Sequence, residues 1–221
     1  FRQTSKEVSG KIRVDVPGRV GSRIIIPALK DFFTRHPGIQ IELGVTDRSV
    51  NLAEEGIDCA VRVGRLNDSG MVSRCIGYLR IINVASEAYM AGSGELTSPG
   101  ELNRYAAVGY ASPTTGRRER WEWVQEGEIL NADVNSQLTV NSAEAYIAAC
   151  VAGLGIIQIP EYDVSDLLAA GALRQVMTDF QPGPLPVSIL YPHRRHLSRP
   201  LRLFTDWLTP LLQEKMSLLP A

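Results

Sequence analysis

The chain has little of what most specialised functions require. Its 221 residues hold three cysteines and three histidines, and 23 Lys and Arg against 24 Asp and Glu leave a formal net charge of -1. Cys59, Cys75 and Cys150 are odd in number, widely spaced and outside any C-x-x-C pattern. That spacing argues against a disulfide framework and favours a reducing cytoplasm. Cys59 and Cys150 fall within apolar segments and are expected as small buried hydrophobes. His36, His193 and His196 lack carboxylates or cysteines at ligand spacing, so no metal is expected. No cofactor is expected either, because Gly153-Leu154-Gly155 is a fragment of a dinucleotide fingerprint that follows a helix instead of a strand. No G-x-S-x-G elbow or other catalytic motif occurs, and the chain reads as non-enzymatic. No run approaches the roughly 18 apolar residues that cross a bilayer, and residues 1–9 lack the apolar core of a signal peptide. The densest basic cluster, His193-Arg194-Arg195-His196, is short and reads as a solvated loop, so this chain alone is not expected to bind DNA.

What remains is an ordinary globular composition, 44% hydrophobic and 21% charged, long enough for one large domain or two modest lobes. Residues 10–64 carry the clearest pattern. Ile12, Val14 and Val16 alternate with polar neighbours, and Pro17-Gly18-Arg19-Val20-Gly21 breaks the run. Ile25, Leu29, Phe32 and Phe33 recur at helical spacing until His36-Pro37-Gly38. Ile41, Leu43 and Val45 alternate again, Val50 to Glu55 suit a short helix, and Cys59 to Gly64 form a third apolar run. Exchange of the two periods predicts βαβ units and a parallel sheet. In such sheets ligands sit outside the carboxyl ends of the strands, which here are residues 17–22, 46–48 and 62–65.

Further along, Met71 to Ala85 suggests two strands split at Gly77. Ser98-Pro99-Gly100-Glu101 reads as a capping box, and residues 106–112 read as a strand followed by a polar turn at 113–118. Trp121 to Val124 and Gln137 to Val140 are expected to pair as antiparallel strands. Asn141-Ser142-Ala143-Glu144 opens a helix that stops at Gly153, Ile156 to Pro160 and Leu185 to Tyr191 read as strands, and Leu201, Phe204, Leu208, Leu211 and Leu212 mark one face of a final helix. Crossings near 81–86 and 158–163 would divide the chain into a discontinuous lobe I (10–82 and 161–221), an inserted lobe II (83–160) and a tail at 1–9. A cleft with a two-strand hinge would suit closure around a small molecule.

Several pieces, in this order, resemble the effector-binding domain of LysR-type transcriptional regulators. They are Gly-Lys-Ile-Arg-Val at 10–14, Phe32-Phe33-Thr34-Arg35-His36-Pro37, Asp47-Arg48, Asn51 to Asp58, Arg62-Val63-Gly64, Ala152-Gly153-Leu154-Gly155-Ile156, Ile159-Pro160 and Gly171-Ala172-Leu173. The resemblance implies an α/β fold of the type 2 periplasmic-binding-protein kind, with two lobes that each hold a mixed, mostly parallel sheet flanked by helices. It also implies a small-molecule effector, expected to be an anionic or aromatic metabolite, homodimers or homotetramers with residues 23–35 at an interface, and contact with DNA only through an N-terminal winged helix-turn-helix absent here. No membrane partner is implied. A transport solute-binding protein of the same fold is the alternative.

The candidate ligand-binding positions on lobe I are Gly18, Arg19, Val20, Gly21, Ser22, Thr46, Arg62 and Val63. The glycines allow close backbone approach, the helix start favours an oxyanion, and the resemblance places this loop at the effector cleft, although the family usually has a bulkier residue than Val20. Ser22 is either a helix N-cap or a ligand hydroxyl. Arg62 is either a cleft cation or an exposed strand-end residue. Asp47 and Arg48 are expected to pair with each other or with neighbours. On lobe II the candidates are Tyr110, Ser112, Asn141, Ser142 and Ile159, with capping as the competing role at Asn141 and Ser142 and a hinge wall as the role of Ile159. Arg62→Ala and Ser112→Ala are expected to weaken effector response without disturbing the fold.

Overall fold

The structure is a computed structural model that describes residues 8–47, 51–66, 71–113, 116–192 and 197–221. Most of the expected tail at 1–9, Arg48, the start of the expected helix at Val50, part of the polar turn after Pro113 and the 193–196 cluster lie outside the described residues. The chain opens with β1 (Gly10–Val16), a π-helical turn (Val20–Ile25), α1 (Ile26–Arg35), β2 (Ile39–Val45), β3 (Cys59–Val63) and β4 (Met71–Leu79). It continues through β5 (Ile81–Ser86), α2 (Glu87–Ser93), a 3-10 turn (Pro99–Arg104), β6 (Gly109–Tyr110), β7 (Trp121–Gln125), β8 (Glu128–Ala132) and β9 (Thr139–Val140). The remainder is α3 (Ala143–Val151), β10 (Ile157–Pro160), α4 (Glu161–Ala169), β11 (Leu173–Gln175), β12 (Leu185–Pro192) and α5 (Arg199–Lys215). Two compact units result, one of residues Phe1–Tyr78 and Pro186–Ala221, the other of Leu79–Leu185.

In the first unit the sheet order is β2-β1-β3-β12-β4. β1 runs parallel to β2 from Gly10 opposite Ile39 to Val16 opposite Val45, and parallel to β3 at Val14 and Asp15. β12 is antiparallel to β3. The alternation of Ile12, Val14 and Val16 buries all three side chains. On α1, Phe32 meets Phe204 edge-on at 5.7 Å and Trp207 at 5.1 Å, which anchors α5. Phe32 and Phe204 are fully buried, and each contributes roughly 1.5–3 kcal/mol. Of the periodic residues of α5, Leu201, Phe204, Leu208 and Leu212 are buried and Leu211 is half-buried.

Two expectations change in this unit. Residues 52–56 form a turn, not a helix, closed by the Glu55 amide on the Asn51 carbonyl and the Ile57 amide on the Leu52 carbonyl. Gly77 does not split the strand. β4 runs through it at φ 148, and the C-terminal segment lies so close that a Cβ there would stand 2.7 Å from the Leu219 carbonyl oxygen. Leu219 exchanges both backbone bonds with Tyr78.

The second unit is built on β5, flanked by β10 and β11, both antiparallel to it. Its described parallel pairing is confined to β6 with β9 and to bridges at Ala106–Asn135 and Ala107–Ile156, so it holds less parallel sheet than expected. The chain also stays in this unit beyond residue 160. β10 turns at once into α4, and β11 returns to pair with β5, so the return crossing falls at Leu185/Pro186 and not at 158–163. The outward crossing falls at Tyr78/Leu79, which places the whole of β5 in this unit.

The expected pairing of 121–124 with 137–140 is also replaced. β7 pairs with β8 through a two-residue turn, Glu126 (φ 51) and Gly127 (φ 81). Positive φ at both central residues matches the twist of a tight hairpin. The capping box at residue 98 is visible in the Glu101 carboxylate, which accepts the Ser98 amide at 3.2 Å. Gly153 stops α3 at φ 78. Cys59 and Cys150 are buried as expected, and burial pushes both thiols up to about 12.

Candidate functional site

On the first unit the β1 end is tied down by Asp47. Its carboxylate accepts the Gly18 amide at 2.8 Å, while the Thr46 amide continues the β1–β2 ladder onto the Val16 carbonyl at 3.0 Å. The Gly21 amide donates to the Pro17 carbonyl at 2.9 Å, and the Ser22 hydroxyl donates to the Gly18 carbonyl at 2.9 Å. Ser22 therefore does not cap the helix. It lies inside the π-helical turn, exposed, and its hydroxyl oxygen keeps its acceptor capacity. Two amides of the loop are already used, so an anion meets fewer free donors here than at a bare helix start.

Gly21 serves packing, because a Cβ there would lie 2.8 Å from both Val45 methyls and 3.0 Å from a Val16 methyl. Val20 is buried in the core, and Arg19 is buried and engaged. Val20 thus cannot present its side chain to a ligand as expected. Thr46 and Val63 are half-buried at the ends of β2 and β3.

Arg62 is neither a free cation nor a solvated strand end. Its guanidinium donates to the Asp15 carboxylate at 2.7 Å and to the Val61 carbonyl at 2.8 Å. The Arg62 side chain is 21% exposed and that of Asp15 only 5%. Burial raises the Asp15 carboxyl above its ordinary value, Arg62 pulls the other way by hydrogen bond and charge, and Glu55 adds to the rise. The expectation that Arg62→Ala spares the fold is therefore reversed. Sequence reasoning missed Asp15 itself. Its signal is an acid between two valines on a core strand, where a carboxylate is costly unless paired.

On the second unit, Tyr110 packs against Tyr146 with the ring planes tilted by 46° and centroids 5.0 Å apart. The Ser112 amide donates to the Arg117 carbonyl at 2.9 Å and its own carbonyl accepts from Gly116, which closes the turn after β6. Ser142 is the cap of α3, its hydroxyl accepting the Ala145 amide at 3.2 Å, and Asn141 is exposed beside it. Ile159 is buried in the core with Ile82 and Val164, because β10 directs it inward opposite Ile82. A second polar feature has no local sequence signal. The Gln158 amide side chain replaces a neighbouring strand for β7, donating to the Glu122 carbonyl at 2.7 Å and accepting the Glu122 amide at 3.0 Å, and it also donates to buried Asn83 at 2.8 Å.

The five-stranded mixed sheet of the first unit, with its loops at the strand ends, is of the type 2 periplasmic-binding-like fold. The chain belongs to the LysR substrate binding domain family, whose model matches residues 5–213. It is 37% identical over 214 residues to the uncharacterised HTH-type transcriptional regulator YhjC of Escherichia coli, covering 97% of this chain and 72% of that protein. An HTH-type transcriptional repressor of Pseudomonas aeruginosa is 33% identical over 205 residues, covering 93% of this chain and 65% of that one. Among solved structures, the full-length virulence activator AphB of Vibrio cholerae superposes with a TM-score of 0.77 at 28% identity, covering 93% of this chain and 69% of that one. The regulatory domain of CrgA from Neisseria meningitidis, at 24% identity and a TM-score of 0.78, shares the fold over 92% of this chain and 98% of that one. The chain is the effector-binding domain of a LysR-type transcriptional regulator. That family is one of regulators, not of enzymes.

Proposed function

We propose that this domain senses a small anionic metabolite in the cytoplasm and passes its occupancy to a DNA-reading domain of the whole regulator. The family match over residues 5–213 carries this reading and favours it over transport binding. The preference for an anion rests on Arg62 at the end of β3, whose Asp15 partner an oxyanion would have to replace, with Gly18, Ser22 and Thr46 as the neighbouring polar positions. On the second unit, Tyr110, Ser112 and Asn141 are the candidate contacts, and Ser142 contributes through its capped helix start. The domain recognises its ligand and does not transform it.

A thermal-shift screen of organic acids and aromatic compounds tests the reading. A ligand at a hundred times its dissociation constant stabilises by about 2.7 kcal/mol, which is roughly 5–10 °C for a chain of this size. The expected hits carry a carboxylate, and Ser112→Ala is expected to reduce their shift. If every hit is neutral, or if Ser112→Ala leaves each titration unchanged, the anionic reading or that position respectively is lost.

We further propose that the domain forms homo-oligomers through α1. Ile26 is 51% exposed and Phe33, two turns later, 37% exposed, so one face of the helix shows apolar area to solvent. Phe33→Glu is expected to shift sedimentation of the chain toward monomer at concentrations where the wild type is dimeric. A wild-type chain that stays monomeric at high concentration would remove this role.

A further inference from the structure

We propose that Asp15 and Arg62 form a proton-operated cation: a proton taken up by Asp15 frees the Arg62 guanidinium from its internal partner and offers it to an oxyanion of the effector. The consequence for the effector rests on the function proposed above, but the release itself does not.

The pair is asymmetric. Asp15 is nearly sealed, while Arg62 keeps a fifth of its side chain in contact with solvent. Small neighbours hold the acid in place, with Gly44 opposite on β2 and Ala60 opposite on β3. A Cβ on Gly44 would stand 2.6 Å from an Asp15 carboxylate oxygen, so the carboxylate fills that space. The arginine is the partner able to move. Its other anchors are the Val61 carbonyl at 2.8 Å and, more weakly, the Asp15 backbone carbonyl at 3.5 Å, and both are indifferent to the charge on the Asp15 side chain.

The charges facing Asp15 among the described residues are Arg62 from β3 and Glu55 from the turn at 52–56. On its own strand, Arg13 is engaged with Glu42 of β2 and with the Glu55 carbonyl. Arg62 favours the carboxylate, Glu55 and burial disfavour it, and burial is the largest of these influences. The direction of the linkage follows. A carboxyl whose folded-state pKa lies above its unfolded value contributes stability that is present at low pH and lost as pH rises through the raised value. Protonation of Asp15 on acidification therefore adds to the stability of the folded unit instead of subtracting from it. The proton comes from solvent and forms an O–H bond on Asp15, and the guanidinium keeps its charge throughout. A neutral Asp15 no longer competes for that charge, so an anion on Arg62 and a proton on Asp15 favour one another's binding by the same factor.

Carbon and nitrogen NMR of the labelled 221-residue chain, titrated between about pH 3.5 and 8 without any ligand, tests the release. The Asp15 carboxyl is expected to titrate above the ordinary value of about 3.9, and the Arg62 guanidinium signals are expected to change with the same midpoint. In Asp15→Asn the Arg62 signals are expected to be pH-independent and to match the acid end of the wild type. The proposal is overturned if Arg62 stays flat while Asp15 titrates, if Asp15 titrates below the ordinary value, or if the Asp15→Asn variant holds Arg62 as the carboxylate does. Release with no anionic hit in the thermal-shift screen would sink the effector reading and leave the switch standing.

Discussion

Replacing Arg62 with alanine is expected to destabilise the chain by about 3–5 kcal/mol at pH 7.5, the usual cost of stripping one partner from a buried ion pair. The guanidinium stands 2.7 Å from the Asp15 carboxylate, and the carboxylate itself is almost fully buried. Its escape route is protonation. Without Arg62 the largest remaining influences, burial and Glu55, both raise the carboxyl further. The deficit should therefore shrink as pH falls through that raised value, since the proton supplies the neutrality that Arg62 no longer provides. Urea unfolding at pH 7.5 and pH 5 checks both parts. A loss below about 1 kcal/mol, the range of exposed pairs, would show that the pair is not buried in solution, and an equal loss at both pH values would show that Asp15 does not take up the proton. A double replacement by apolar residues of similar volume, Asp15→Leu with Arg62→Met, is expected to cost less than Arg62→Ala alone, because neither leaves a lone buried charge.

That pair marks the limit of what the sequence can show. β1, α1 and β2 were legible because each follows a simple period, and the alternating residues of β1 are buried as the pattern requires. The approximate ends of the first two strands followed from Pro17 and from the start of the polar Thr46-Asp47 step. What sits at those ends did not. Asp15 and Arg62 lie 47 positions apart, and their contact depends on β3 lying beside β1, a register no local pattern announces. Ser22 shows the same limit on a smaller scale. A serine before an apolar helix reads as a cap, but the chain here enters a π-helical turn earlier, at Val20, and the hydroxyl turns back to Gly18.

In the second unit, pairing was lost for a local reason. Glu126-Gly127 is a tight hairpin turn that lacks the usual Asn-Gly or Asp-Gly signal, so the apolar pattern pairs β7 with a segment too far along the chain. The return crossing was misplaced for a non-local one. β11 is only three residues long, too short to show a period, yet its pairing with β5 keeps α4 in the second unit.

Gly153 and Gly155 provide an internal comparison with the second large expected effect. Both have positive φ, 78 and 146. At Gly153 a Cβ would find its nearest neighbour, the Ser86 hydroxyl, at an ordinary 3.7 Å, so Gly153→Ala should cost only the left-handed conformation, about 1–2 kcal/mol. At Gly155 the same Cβ would stand 2.6 Å from the Ala106 carbonyl oxygen, 2.8 Å from its carbon and 2.9 Å from the Ala107 carbonyl carbon. These are backbone atoms and cannot rotate away. They also carry the bridge on which the unit depends, since the Ile156 amide donates to Ala106 at 3.0 Å and the Val108 amide to Ile156 at 3.1 Å. Ile156 and Ile157 follow at once, fully buried in two separate parts of the core. Gly155→Ala therefore adds overpacking to backbone strain and is expected to cost about 3–5 kcal/mol, with loss of amide-exchange protection at Ile156 and Val108. The two alanine variants, unfolded side by side in urea, should separate by at least about 1 kcal/mol, roughly a factor of five in the folded-to-unfolded ratio. Equal losses would mean that the 106–107 segment yields to a methyl group, and that the close approach at Gly155 does not hold the second unit together.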